Sequence, residues 1–197
     1  MLTANSAIAF AIVFAAAGCS SIARTAPREA DHRAAREREA EYSVYSHFLR
    51  LYQTQPNVRI SDSTQRVFGG AVSLCSQSDR KPGYCVSPRP GTSVEMWSDY
   101  VQKNQRRSLL LPLFDPDVNI PLERNAPPVE ITCRAPTTIH FSRVGLNPDL
   151  TQAIVQVTYI TGKGPMPGCG FTATYAVVVE RTKTGWRELM PVGGAIS

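Results

Sequence analysis

Gln152-Ala153-Ile154-Val155-Gln156-Val157-Thr158-Tyr159-Ile160-Thr161 is the stretch that decides the fold. Ala153, Val155, Val157 and Tyr159 recur every second residue, the period of a strand with one face packed. Residues 170–181 repeat the pattern, with Phe171, Ala173, Tyr175, Val177 and Val179 on one side. Working outward, residues 186–192 form a third such stretch and residues 129–144 a fourth, interrupted near Pro136. The joints are Leu146-Asn147-Pro148-Asp149, the Gly/Pro loop 162–168, and Thr182-Lys183-Thr184-Gly185. Joints this short join antiparallel neighbours, so residues 129–192 are expected to form a curved antiparallel meander.

Upstream the period changes to that of a helix. Residues 28–53 begin with five acids and four arginines by Glu41, offering solvated pairs such as Arg33 with Glu37, and then turn apolar. Tyr45, Phe48, Leu49 and Tyr52 stand at i, i+3, i+4 and i+7, one buried face. The reading is an exposed stalk over 28–41 continuing into a packed helix that Pro56 ends. Thr92-Ser93-Val94-Glu95 has capping-box form with Thr92 as N-cap. Val94, Trp97, Tyr100 and Val101 then continue a second, shorter helix to about Gln105. Between the helices, residues 57–67 read as a strand with Val58 and Ile60 on one face, residues 71–74 as a short apolar run, and residues 75–91 as a loop rich in Ser, Pro and Gly. Residues 109–128 are apolar but crossed by Pro112, Pro116, Pro121, Pro127 and Pro128, so they make an extended connector rather than a central strand. The predicted class is α+β: a long N-terminal helix and a shorter second helix packed on a curved antiparallel sheet, in a single domain over 28–197.

The first residues carry an address. An uncharged apolar run over 7–17 closes at Ala16-Ala17-Gly18-Cys19. The run has signal-peptide length and falls short of the ~20 residues of a spanning helix. The four residues resemble a bacterial lipobox, although residues 1–6 lack Lys and Arg and Ala16 stands where Leu is commoner. The resemblance implies that residues 1–18 are a removed signal peptide, that Cys19 carries the lipid (palmitate among its acyl chains), and that residues 19–27 are a lipidated tether. One acyl chain binds a membrane only marginally, and the mature proteins it resembles carry three. Ser20 after the cysteine, rather than Asp, implies the outer membrane, with the domain facing the periplasm.

Removal of the signal leaves 179 of 197 residues, enough for one domain with a real core. The net charge of +5 invites a polyanion partner, but the arginines are scattered from Arg24 to Arg187 and only Arg106 and Arg107 are adjacent. A scattered charge is not the clustered footprint of a nucleic-acid binder. With Cys19 set aside as the anchor, Cys75, Cys85, Cys133 and Cys169 remain, an even number that reads as two disulfides in an oxidising compartment. Three connectivities are open. Zinc is disfavoured because there is no C-x-x-C and no histidine at ligand spacing.

The C-terminal half resembles a group of uncharacterised bacterial secreted proteins and lipoproteins. The matching stretches are Phe141-Ser142-Arg143-Val144-Gly145-Leu146-Asn147, Gln152-Ala153-Ile154-Val155, Gly168-Cys169-Gly170 with the following Thr174-Tyr175-Ala176, and Gly185-Trp186-Arg187. Asp99 to Asn104 looks like the group's Asp-x-x-x-x-Asn helix, and the likeness covers roughly residues 92–192. It implies an α+β roll similar to cystatin-like or NTF2-like architectures, and it transfers no catalytic residue. Members often carry a second cysteine just before the Cys-Gly turn, which residues 162–167 here lack. On that ground Cys169 is expected to pair with Cys133, tying two parts of the sheet, while Cys75–Cys85 is favoured because it staples the short Pro/Gly/Ser-rich loop.

Candidate chemistry is thin. His140, Ser142 and Asp149 have triad residue types, but no nucleophile-elbow sequence surrounds Ser142. His32 lies in the charged stalk and His47 near the apolar face of the first helix. Residues 162–168 lack the P-loop order and spend two positions on proline, which has no N–H to offer a phosphate. Asp115-Pro116-Asp117-Val118-Asn119 starts like a calcium loop, yet Ile120 and Ala126 stand where Gly and Glu are required. Tyr42, Tyr45 and Tyr52 read as core and rim of a helix–sheet contact. The expectation is a membrane-anchored, non-catalytic binding or assembly module of the envelope, without cofactor or metal, acting on an envelope partner through the concave sheet face or the 162–168 loop. The competing expectation is a hydrolase-like envelope enzyme with a pocket inside the roll.

Overall fold

Two helices lie on opposite faces of a mixed six-stranded sheet, in a computed structural model that describes residues 26–65, 73–74, 85–86, 88–110, 114–115, 117–128, 130, 132–133, 135–162 and 170–196. In chain order the elements are α1 (Ala26–Leu49), β1 (Val58–Ile60), β2 (Ser73–Leu74), β3 (Cys85–Val86), α2 (Val94–Lys103), β4 (Thr137–Phe141), β5 (Gly145–Leu146), β6 (Gln152–Thr161), β7 (Phe171–Thr182) and β8 (Gly185–Ile196). The class is α+β. The expected signal peptide over 1–18, Cys19, most of the expected tether over 19–27, Cys75 and Cys169 lie outside the described residues.

The chain divides into two compact units at Arg36 and Glu37. In the first, α1 begins at Ala26 with Pro27 in its opening turn, where a missing N–H costs nothing. Its side chains over 29–36 are exposed. In the second unit, the helix becomes buried at Ala40 and Glu41. The exposed stretch is thus shorter than the predicted 28–41, because Glu41 has a partner within the domain. The helix ends at Leu49, well before Pro56, and Tyr52 sits half-buried in the turn that follows.

The sheet runs β1-β4-β6-β7-β8, with β5 pairing the start of β6. The predicted hairpins form: β6 pairs β7 from Gln152↔Glu180 to Thr161↔Phe171, and β7 pairs β8 with two register shifts that raise the twist. The all-antiparallel meander needs one correction. Strand β1 is parallel to β4, at Val58↔Thr137 through Ile60↔Ile139. Short joints dictate antiparallel pairing only where they exist, and the whole of 61–136 separates these two strands. β2 and β3 form a separate parallel pair. The connector behaves as expected: Leu109 and Leu122 make isolated bridges to Ser63 and Ile60, and a single 3-10 turn occupies Glu123–Asn125.

Each face has its own core. Tyr42, Tyr45, Phe48 and Leu49 of α1 cover Ile139, Phe141, Val155, Val157, Val177 and Val179. Met96, Trp97 and Tyr100 of α2 cover Ile154 and Val178 on the other face. The cap of α2 is Ser93, one residue later than predicted; its Oγ accepts from the Met96 N–H at 3.3 Å. Thr92 is diverted because its hydroxyl accepts from the Trp97 indole at 2.8 Å.

Candidate functional site

The stretch 141–147 is a joint. Between β4 and β5 the strand alongside β6 breaks, and Ser142 bridges the break: its Oγ accepts from the Gln156 N–H at 2.8 Å and donates to the Arg143 carbonyl at 3.0 Å. Arg143 and Val144 turn toward α1. The Glu41 carboxylate accepts from Arg143 Nε at 2.6 Å and Nη2 at 2.9 Å, from the Tyr45 hydroxyl at 2.7 Å and from the Val144 N–H at 3.1 Å. Burial alone would raise the carboxyl, but the Arg143 hydrogen bonds and charge, with Tyr45 and Val144, hold it below the ordinary carboxylate range. On the α2 side, Asn104 Oδ1 accepts from the Arg143 N–H, its Nδ2 donates to the Arg143 carbonyl, and Asp99 accepts from the Leu146 N–H. Asn147 closes the turn before β6 by accepting from the N–H groups of Thr151 and Gln152.

The residues with triad chemistry are therefore not assembled for it. Ser142 is buried and its hydroxyl is engaged in the break between β4 and β5. His140 lies between Ile139 and Phe141 in β4, so it projects from the face opposite their core. Asp149 is exposed in the turn before β6. His32 is exposed on α1; His47 is half-buried, edge-on to Phe48 at 5.1 Å, and burial lowers its pKa. Asp115 is a structural anchor: its N–H is accepted by Ser46 Oγ, its carboxylate accepts from the Asp117 N–H and pairs with Arg50. Among the described residues no three His, Cys, Asp or Glu side chains form a metal-ligating group. No described helix is long and apolar enough to cross a membrane.

Beneath α1 the described side chains of helix and sheet pack against one another. Tyr45 lies tilted against Phe141 with ring centroids 4.7 Å apart, Tyr42 and Phe114 lie at 5.3 Å, and Phe48 reaches Tyr175 at 6.2 Å. The strands run on past the last turn of the helix, and there a cleft opens. It is bounded by Tyr52 and Gln55 of the turn after α1, Thr137 of β4, Tyr159 and Thr161 of β6, Gly170 and Phe171 at the start of β7, and Cys133, with a volume of about 720 Å³. Tyr52 tilts over Tyr159 at 4.9 Å; Tyr159 stacks on Tyr175 at 5.7 Å, and their hydroxyls share a 2.7 Å hydrogen bond. Burial, reinforced for Tyr159 by hydrogen bonds to Tyr175 and Tyr52, pushes both phenols far above their usual range, so both are neutral. The Thr137 and Thr161 hydroxyls meet at 3.3 Å on the floor. Phe171 at the mouth is 51% exposed although it is a large apolar ring.

The predicted loop 162–168 lies outside the described residues except for Gly162, but its flanks form this rim. A Cβ on Gly162 would meet the Thr132 carbonyl oxygen and stand 2.8 Å from the Cys133 carbonyl carbon; one on Gly170 would run into Gly162. Both positions need glycine because three backbone segments converge there. Cys133 is exposed at that point and disulfide-bonded, and Cys85 lies in β3. The sequence reading placed Tyr52 in the helix–sheet contact and Tyr159 and Phe171 on alternating strand faces, and it did not single out Thr137, Thr161 or Gln55. The available signal was Phe171, a ring at the open end of a strand beside a Gly/Pro loop. No family model, no curated protein and no solved structure matches the chain.

Proposed function

We propose that the chain is a lipid-anchored protein of the bacterial envelope that binds an envelope component without turning it over, and that the cleft at the end of α1 is its binding surface. The observation that carries this reading is the composition of the cleft: three aromatic rings, two threonine hydroxyls and one amide, without a charged side chain among its described lining residues. A pocket of about 300–1,000 Å³ lined by rings with a few convergent polar groups is the usual form of a small-ligand site. General acid–base work needs a group that titrates near the working pH, whereas burial raises the Tyr159 phenol further from it and both His47 and His140 lie outside the lining. The lipobox-like Ala16-Ala17-Gly18-Cys19 supplies the anchoring half of the reading, and the exposed charged turns over 29–36 suit a solvated spacer.

Photo-crosslinking in intact cells tests the cleft. A photoreactive phenylalanine analogue at position 171 should capture an envelope component, and the yield should fall sharply when Gln55→Asp adds a charge across the cleft. Capture that is indifferent to that charge would refute the cleft as the binding surface.

A further inference from the structure

The geometry points to a neutral saccharide as the ligand of this cleft, an inference that rests on the cleft being a binding surface. Three features select that chemistry over the other small ligands an envelope offers. The first is the makeup of the described lining: its eight residues include no Asp, Glu, Lys, Arg or His. A phosphate, a carboxylate or an ammonium group would find no ionic partner among them, and a desolvated charge needs one.

The second feature is the pairing of flat apolar surface with groups that both give and accept hydrogen bonds. The rings of Tyr52 and Phe171 provide the surface; the Thr137 and Thr161 hydroxyls and the Gln55 amide provide the polar groups. Each of those three side chains is donor and acceptor at once. A sugar hydroxyl has the same dual character, while the C–H face of a pyranose ring is apolar and matches an aromatic ring in width. A purely apolar ligand would leave the floor threonines desolvated, and a purely polar one would gain nothing from Phe171.

The third feature weighs against a peptide. Peptides commonly bind sheets by adding a strand to a free edge, which satisfies their backbone groups. The floor here offers no edge. Thr137 pairs with Thr161 in the β4–β6 ladder, and Thr161 pairs with Phe171 in the β6–β7 ladder. The main-chain groups of Thr137, Thr161 and Phe171 are engaged within the sheet, so what these residues offer a ligand is their side chains. A saccharide, whose polar groups all lie on its periphery, needs nothing else.

The test is calorimetric titration of the full-length protein, purified in a detergent without a sugar headgroup. The probes are maltohexaose, the β-1,4 hexamer of N-acetylglucosamine, an acidic polygalacturonate hexamer and an uncharged Gly/Ser/Phe hexapeptide. At least one of the two neutral hexamers should bind with a Kd of about 1 mM or tighter. Phe171→Ala and Thr161→Val should each weaken that binding by about tenfold or more, with unchanged urea midpoints. Because Phe171 is exposed and Thr161→Val conserves shape, both variants are expected to fold. Failure of both neutral hexamers to bind overturns the inference, as does binding that neither substitution affects. Preferential binding of the hexapeptide or the acidic sugar, lost in Phe171→Ala, overturns the saccharide assignment while leaving the cleft as a binding surface. Loss of the crosslink described above, by contrast, tests the surface itself.

Discussion

Glu41 is the residue on which the domain's polar structure turns. It is 4% exposed and gathers four donors from Arg143, Tyr45 and Val144, joining α1 to the break between β4 and β5. Removing one member of a buried pair leaves the other uncompensated, at about 3–5 kcal/mol; the Arg143 side chain is 28% exposed, which favours the lower end. Glu41→Gln should therefore lower stability at pH 7 by about 3 kcal/mol, read from urea midpoints. The folded pKa is depressed, so the carboxylate's contribution is present above the ordinary Glu value of ~4.3 and is lost as pH falls through that value toward the folded one. Wild type should lose more stability than Glu41→Gln on acidification across that window, and parallel pH profiles would contradict the assignment. The sequence could not reveal this role. Glu41 is one of five acids in a charge-rich run, and its partner lies 102 residues away.

At the level of elements, the informative contact is that of α2 with β5. A Cβ on Gly145 would lie 2.7 Å from the Met96 carbonyl oxygen and from the Tyr100 Cα, both backbone atoms of α2. Neither can move without lifting the helix. Gly145→Ala should cost about 2 kcal/mol or more and change the emission of Trp97, which α2 buries. A variant as stable as wild type would show that α2 docks less tightly than described. The cysteines belong to this scale as well. Gly162 and Gly170, which flank the segment holding Cys169, lie against the backbone of Thr132, Cys133 and each other, so we expect Cys133 to be paired with Cys169. Digestion of unreduced protein should release the two cysteine peptides as one linked species; linkage of Cys133 to Cys75 or Cys85 would refute the pairing. The strands that determine the sheet were legible from their two-residue period, because alternation reports a packed face directly. The parallel placement of β1 was not, since no local signal states which strand a distant segment will join.

For the whole molecule, the anchor is the prediction that matters most. Cys19→Ser should shift the protein from the membrane fraction to the soluble envelope fraction, and a cleaved product that stays with membranes would refute lipidation at Cys19. The side chains over 29–36 of the first unit are exposed, as a solvated segment after such an anchor would be. Residue order alone was sufficient for the α+β class, for both helices to within a turn, and for the β6–β7–β8 hairpins, because these follow from local periodicity and short joints. The binding surface was decided elsewhere. It exists because α1 ends at Leu49 while β6 and β7 continue beyond its last turn, and because Tyr52, Thr137, Tyr159, Thr161 and Phe171 converge from three strands and a turn. Helix length against strand length is a comparison between segments far apart in the chain, and only their packing in three dimensions makes it.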